Sequence, residues 1–178
     1  IIDGDKENFK YLRDYDWFWK GQLEFVVSFL NTDNINDILN KSNFSDVGIL
    51  SVDIDGNDYH ILEKINFDKL NPSLIIVEYN SVFGNEKAIS VPYNPNFIRT
   101  RAHSSNLYFG ASLKAFDYLL SKKGYSFICS NKSGINGYFL RNDLLNEKVK
   151  AISVENGFVD STLRQTRDND GKLNYNNY

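Results

Sequence analysis

The sequence predicts one α/β domain: a mostly parallel sheet in three layers with helices, closed by an antiparallel last strand. Three observations predict it. Apolar runs at 23–30, 47–54 and 72–80 alternate with stretches of about ten residues at helical spacing. The runs at 47–54 and 72–80 are near-continuously apolar, as expected of strands covered on both faces. Two further runs, YSFICS and NGYFLR, are separated only by NKSGI, which reads as strand, turn and strand.

Taken in order, Ile1 and Ile2 end a strand that stops at Asp3-Gly4. Asp5 caps a helix carrying Phe9, Leu12 and Arg13, since a carboxylate suits a helix N-terminus. LEFVVSFL (23–30) is the next strand, and Thr32 or Asp33 caps a helix with Ile35, Ile38 and Leu39 inward. VGILSVDI (47–54) is a buried strand. Residues 58–67 form a helix capped by Asp58, with Tyr59, Leu62 and Ile65 inward and His60 structural. PSLIIVEYN (72–80) is a second buried strand, introduced by Pro72. Residues 112–124 give the clearest helix, striped by Leu113, Phe116, Leu119 and Leu120 and closed by Gly124. Tyr15, Trp17 and Trp19 are read as packing residues. The chain divides into an α/β domain at 1–145 and a polar arm or tail at 146–178, without internal repeats.

Composition bounds the function. A net charge of -3 argues against a nucleic-acid partner, which needs a basic face. No apolar run is long enough for a membrane helix, and no signal peptide opens the chain. The single cysteine, Cys129, excludes an internal disulfide and fits a cytoplasmic setting. Asn43 and Asn131 stand in glycosylation-type triplets, which in so asparagine-rich a chain are expected by chance. The chain starts IIDGD and contains no methionine, so a piece N-terminal to Ile1 is expected.

The strand ends carry the chemistry. In ILSVDIDGNDYHIL (49–62), Asp53, Asp55 and Asp58 crowd at the end of an apolar run. Carboxylates so close repel and resist burial, so they need a cation, a hydroxyl or a helix N-terminus. A calcium loop of the EF-hand type fails, because its glycine and glutamate positions hold Asp58 and Lys64. Asp3 and the segment Glu78 to Asn80 also close strands, and open α/β sheets bind ligands at that edge. The 81–110 segment holds two of the three prolines and no clear period; a loop this long is more often functional than accidental.

Asp53-Ile54-Asp55-Gly56 resembles the Asp-x-Asp-Gly motif of haloacid-dehalogenase phosphatases, which implies Asp53 as nucleophile and Asp55 as acid/base. That family normally has Thr or Val where this chain has Asn57, and nothing after the final strand pair looks like its acidic pair. The segments IIDGDKENFKYL, TDNINDIL, ILSVDIDGNDYHIL, LIIVEYN and YFGASLKAFDYLLSKKGYSFICSNKSGINGYFLRND together resemble class I S-adenosylmethionine-dependent methyltransferases, nearest the FkbM-like branch. The resemblance covers about residues 1–145 and implies a Rossmann-like sheet lacking its first strand, since none of the eleven glycines forms the family's glycine-rich loop. It implies Asp3 as the ribose-binding acid and Asp53 beside the transferred methyl group. The expected catalytic set is Asp53, Asp55 and His103. Glu78, Asn80 and Tyr108 are the expected acceptor contacts, with Tyr93, Phe97 and Tyr108 able to stack on a sugar ring. The implied activity is O-methylation of a saccharide or small natural product, with S-adenosylmethionine as cofactor. Magnesium between two close carboxylates is a second possibility, and an inactive methyltransferase-fold scaffold is the non-enzymatic alternative.

Overall fold

The structure, a computed structural model, describes residues 1–10, 12, 20–21, 23–42, 44–161, 166–167, 170 and 173–174. Arg13, Tyr15, Trp17, Trp19 and Asn43 lie outside the described residues. A short parallel pair joins β1 (Ile2–Asp3) to β2 (Val26–Val27). The main sheet runs in the order β3 (Ile49–Val52), β4 (Leu74–Glu78), β6 (Asn136–Arg141), β5 (Tyr125–Ser130). β3 and β4 are parallel, whereas β4–β6 and β5–β6 are antiparallel. The mixed sheet and its closing hairpin follow the pattern of apolar runs. A third small pair, β7 (Thr166–Arg167) with β8 (Leu173–Asn174), is antiparallel.

One face of the main sheet makes the core. Ile75, Val77, Tyr125, Phe127 and Phe139 are buried there with Ile61 and Leu62 of α2 (Asp58–Lys64) and Phe116 and Leu120 of α5 (Leu113–Lys122). The alternate residues of β4, Leu74, Ile76 and Glu78, are only half-buried. β3 also departs from expectation. Among the described residues it pairs only with β4, and its alternate residues Ile49 and Ser51, on one face, are exposed while Val52 is buried. A continuously apolar run does not by itself say which faces of a strand are covered.

Local chemistry explains the other differences. Asp5 does cap a helix, but a single 3₁₀ turn (Lys6–Phe9). Helix α1 (Ile35–Lys41) starts after Asn34 rather than Thr32 or Asp33, because Asn31 Oδ1 already accepts the backbone N–H groups of Asp33 and Asn34. The helix expected at 58–67 stops at Lys64, and α3 (Phe67–Leu70) restarts it with Asn66 as side-chain cap. Asn71 then takes the left-handed conformation at φ 39°, a position asparagine tolerates. Four-residue helices α4 (Arg99–Ala102) and α6 (Val154–Gly157) complete the set. Ser112 caps α5 and also donates to Lys87 O, fastening the helix to the long preceding loop. Gly124 follows α5 at φ 86°, as its capping role requires.

The segment after residue 145 is held against the domain as far as Ser161. Ile152 N donates to Phe127 O, and Val154 is buried. Tyr79 Oη donates to Val159 O at 2.6 Å, and Ser161 N donates to Ser81 Oγ. Gly134, at φ 67°, makes room for this crossing: a Cβ there would lie 2.6 Å from Val159 O and Ser161 N. Gly134→Ala is therefore expected to cost about 1–3 kcal/mol in urea unfolding and to raise hydrogen exchange selectively at Val159 and Ser161. Unchanged exchange at those amides would show that the crossing does not depend on the glycine.

Candidate functional site

The site lies beyond the carboxyl ends of β3 and β4. Asp58 builds it. Its side chain is fully buried; Oδ1 accepts Ile54 N and Oδ2 accepts Gly56 N, both at 2.8 Å. The expected role of Asp58 as helix cap is thus corrected: Asn57 is the capping position, and Asp58 instead ties the loop before it. Burial pushes its carboxyl up to about 6, and the two backbone N–H groups hold it from rising further.

The tied loop turns sharply at Asp55, which has φ 58°. Asp53, Asp55 and Glu78 each bring one carboxylate oxygen into a group within 4.8 Å of one another. A single cation could serve all three, and the cation placed there is the Arg99 guanidinium. Its Nη1 lies 2.6 Å from Asp55 Oδ1 and 3.9 Å from Glu78 Oε1, its Nε donates to Asn106 O, and its carbon stands 3.5 Å over the Phe109 ring. With the Asp55 side chain 65% exposed, that ion pair is worth at most about 1 kcal/mol, so its consequence is position rather than stability.

One cation does not neutralise the group. Burial, then the charges of Asp53, Asp58 and Asp55, push the Glu78 carboxyl up to about 8 despite Arg99. Desolvation and Asp55 raise Asp53 as well. The environment thus favours the protonated form of Glu78.

A cavity of about 590 Å³ opens on this group, in the size range of small-molecule sites. Phe29, Ile54, Asp55, Glu78, Phe97 and Arg99 line it, with Ser161 at one wall. The long loop forms its far side and is ordered by contacts to the strand ends. Asn57 Nδ2 donates to Asn94 O, Gly110 N to Gly56 O, and Asn80 Nδ2 to Leu107 O and Phe109 O. His60 Nε2 lies 2.8 Å from Val91 O, which confirms its structural reading. Phe97 lies flat enough on the tied turn that a Cβ at Gly56 would meet its ring carbons at 2.1 and 2.4 Å.

The geometry settles what these residues are near, and a comparison with known families settles what kind of domain they serve. A model of the methyltransferase FkbM domain matches residues 28–127, more than half of the chain. The chain belongs to that family. No curated protein and no solved structure matches it. The FkbM match spans Asp53, Asp55, Glu78, Asn80, Arg99 and Tyr108, and so contains nearly the whole cavity.

Within this FkbM domain the expected residues fall into two groups. Asp53, Asp55 and Glu78 converge. Asn80 is at the cavity but 2% exposed, and its Nδ2 and Oδ1 are engaged in holding the loop. Asp3 does not line the cavity; its oxygens accept Asp5 N and Asn8 Nδ2. His103 is exposed, bonds Ser105 and lies outside the cavity lining. Tyr108 lines a neighbouring cleft with Pro92, Tyr93 and Arg101. Arg99 is the residue of the candidate site that sequence reasoning missed. Crowded carboxylates signalled a need for a cation, but the loop offers both Arg99 and Arg101 at one spacing, and only the fold selects between them.

Gly56→Ala is expected to push Phe97 out of the cavity wall and to cost about 1–3 kcal/mol. In a double-mutant cycle by urea denaturation, Phe97→Leu should relieve part of that cost, a coupling of about 0.5 kcal/mol or more. Additive effects would mean the ring and the turn do not compete for space.

Proposed function

We propose that this FkbM-family domain is an S-adenosylmethionine-dependent O-methyltransferase acting on a hydroxyl of a saccharide or small natural product. The observation that carries this reading is the cavity at the acidic strand ends, walled by Phe29, Phe97 and Phe109 and containing Glu78 beside Asp53. Aromatic walls suit a sugar or other ring, and a carboxyl pair suits a hydroxyl whose proton must leave.

The residues present fit the cofactor in their donor chemistry. Each Asp3 oxygen accepts one local hydrogen bond, which leaves lone pairs for ribose hydroxyls. The carboxylates beyond β3 and β4 favour a cationic sulfonium. When bound, S-adenosylmethionine supplies an electrophilic methyl group. The protein's share is to position the acceptor, exclude water and take up a proton. Phe97 and Phe109 shield the cavity; Asp55 and Arg99 fix its rim; Asp53 and Glu78 face the proton.

The reading extends to the fold. β1 pairs only with β2 and β3 only with β4 among the described residues, and a further parallel strand between β1 and β3 would join both sheets into one Rossmann-like layer, with Asp3 on the same row of strand ends. Among the described residues no helix is long and apolar enough to cross a membrane. The proposal is a cytoplasmic enzyme with a small-molecule acceptor and no nucleic-acid partner, in keeping with the acidic balance and the free Cys129.

Calorimetry on the full-length natural protein should find micromolar binding of S-adenosylhomocysteine, weakened at least about tenfold by Asp3→Ala, about 1.4 kcal/mol. Transfer of a labelled methyl group to a panel of saccharide and phenolic hydroxyls then identifies the acceptor. No binding would favour the inactive scaffold; binding indifferent to Asp3→Ala would remove that residue from the site.

A further inference from the structure

Among the described residues, Glu78 Oε2 is one of three buried side-chain polar atoms with no hydrogen-bond partner, beside Asn106 Oδ1 and Ser130 Oγ. Glu78 Oε1 lies 3.9 Å from Arg99 Nη1, beyond hydrogen-bond distance. An ionised carboxylate left in that position would lose hydration without replacement, a cost of a few kcal/mol. Protonation removes the difficulty if an acceptor is near, and one carboxylate oxygen of Asp53 lies within 4.8 Å of one of Glu78. The two come from neighbouring parallel strands, Glu78 as the last residue of β4 and Asp53 directly after β3, with Val52 and Val77 in register.

We propose that Glu78 and Asp53 share one proton as a carboxyl–carboxylate pair, and that the ionised pair receives the proton leaving the acceptor hydroxyl. This rests on the methyltransferase reading for its second half only. The charged groups facing Glu78 are Asp53, Asp55 and Asp58 from the β3 side and Arg99 from the loop. Three negative neighbours and one cation favour a proton on Glu78, and Arg99 keeps the proton affinity within reach of neutral pH. In the reaction the acceptor O–H bond breaks and its proton goes to the ionised pair. The electron pair left on oxygen bonds the transferred methyl group, while the bonding pair of the sulfonium stays on sulfur. The singly protonated pair then releases its proton to solvent. Burial and the neighbouring carboxylates place that release near pH 8, where a general base is strong and still available.

The sign follows. As pH rises through about 8 the pair ionises, so kcat/KM should climb about tenfold per unit below that value and level above it. The folded state holds this proton more tightly than the unfolded chain, so stability should fall as pH rises from about 4.5 towards 8, and Glu78→Gln should flatten that fall.

The deciding experiment is difference infrared titration of the full-length protein, which needs no methyl transfer. The carbonyl band of a protonated carboxyl should be present at pH 7, vanish with a midpoint near 8, and be missing in Glu78→Gln. Asp58, with its carboxyl near 6, ionises earlier and is separable. On the hydroxyl acceptor found by the transfer assay, Glu78→Gln should lower kcat/KM about 10²–10⁴-fold and abolish the step near pH 8, with S-adenosylhomocysteine affinity unchanged within about threefold. Absence of the band at pH 7 in the wild type overturns the pair and leaves the methyltransferase reading intact. A band with the expected midpoint but a surviving pH step in Glu78→Gln overturns the catalytic role. A band in a protein that methylates no hydroxyl overturns the methyltransferase reading instead, and the pair's part in transfer with it.

Discussion

The buried carboxylate of Asp58 is the constraint on which the rest of the site depends. It is fully buried with two backbone N–H groups pointed at its two oxygens. That arrangement closes the chain from Ile54 to Asp58 into a fixed turn, so Asp53 and Asp55 leave the end of β3 towards Glu78 of β4. A neutral side chain of the same shape could accept only one of the two bonds. Asparagine would aim an N–H group at a backbone N–H, and an apolar residue would orphan both donors. The turn also sets Gly56, whose carbonyl accepts Gly110 N and whose missing Cβ admits Phe97. One buried acid therefore organises both the acidic rim and the aromatic wall.

The segment from Ser81 to Gly110 is a loop in sequence and a scaffold in the fold. A connection of this length is affordable only when its backbone groups find partners. They do so largely on side chains of the strand ends: Asn57 takes both edges of Asn94, and Asn80 takes Leu107 and Phe109. These asparagines are buried and spend their polar atoms on the main chain, which explains why a residue expected to meet substrate holds the cavity in shape instead. The crossing of Val159 to Ser161 closes the remaining side through Tyr79 and Ser81. The cavity is thus made by three stretches far apart in sequence.

Electrostatics gives the site its character. The carboxyl groups of Asp53, Asp55, Asp58 and Glu78 crowd beyond β3 and β4 with the Arg99 guanidinium among them, and burial raises the proton affinity of Asp53, Asp58 and Glu78. Asp55, with its side chain exposed, takes the ion pair; Asp58 is held by backbone N–H groups; Glu78, whose Oε2 is buried without a hydrogen-bond partner among the described residues, is the one most favoured to hold a proton. Groups of one chemical type acquire different roles because burial and hydrogen bonding differ over a few ångströms.

The sequence by itself determined the alternation of strands and helices, the antiparallel closing hairpin, helix α5 with its glycine cap, and the acidic strand ends. Each of these is written in local periodicity or in the need of crowded carboxylates for partners. The resemblance quoted from those segments led to the FkbM family, which the comparison confirmed. What only the tertiary structure decided is which residues meet. β3 reads as covered on both faces, yet Ile49 and Ser51 are exposed, because an apolar run does not record which neighbours will cover it. His103 and Tyr108 share a loop with Arg99, yet only Arg99 reaches the carboxylates, because the Phe109 ring and Asn106 O hold its guanidinium over them. Asp58 looks like a helix cap in one dimension and becomes the buried tie of the site in three. Local sequence fixes what each side chain can do; the distances that choose among those chemistries come from residues tens of positions away.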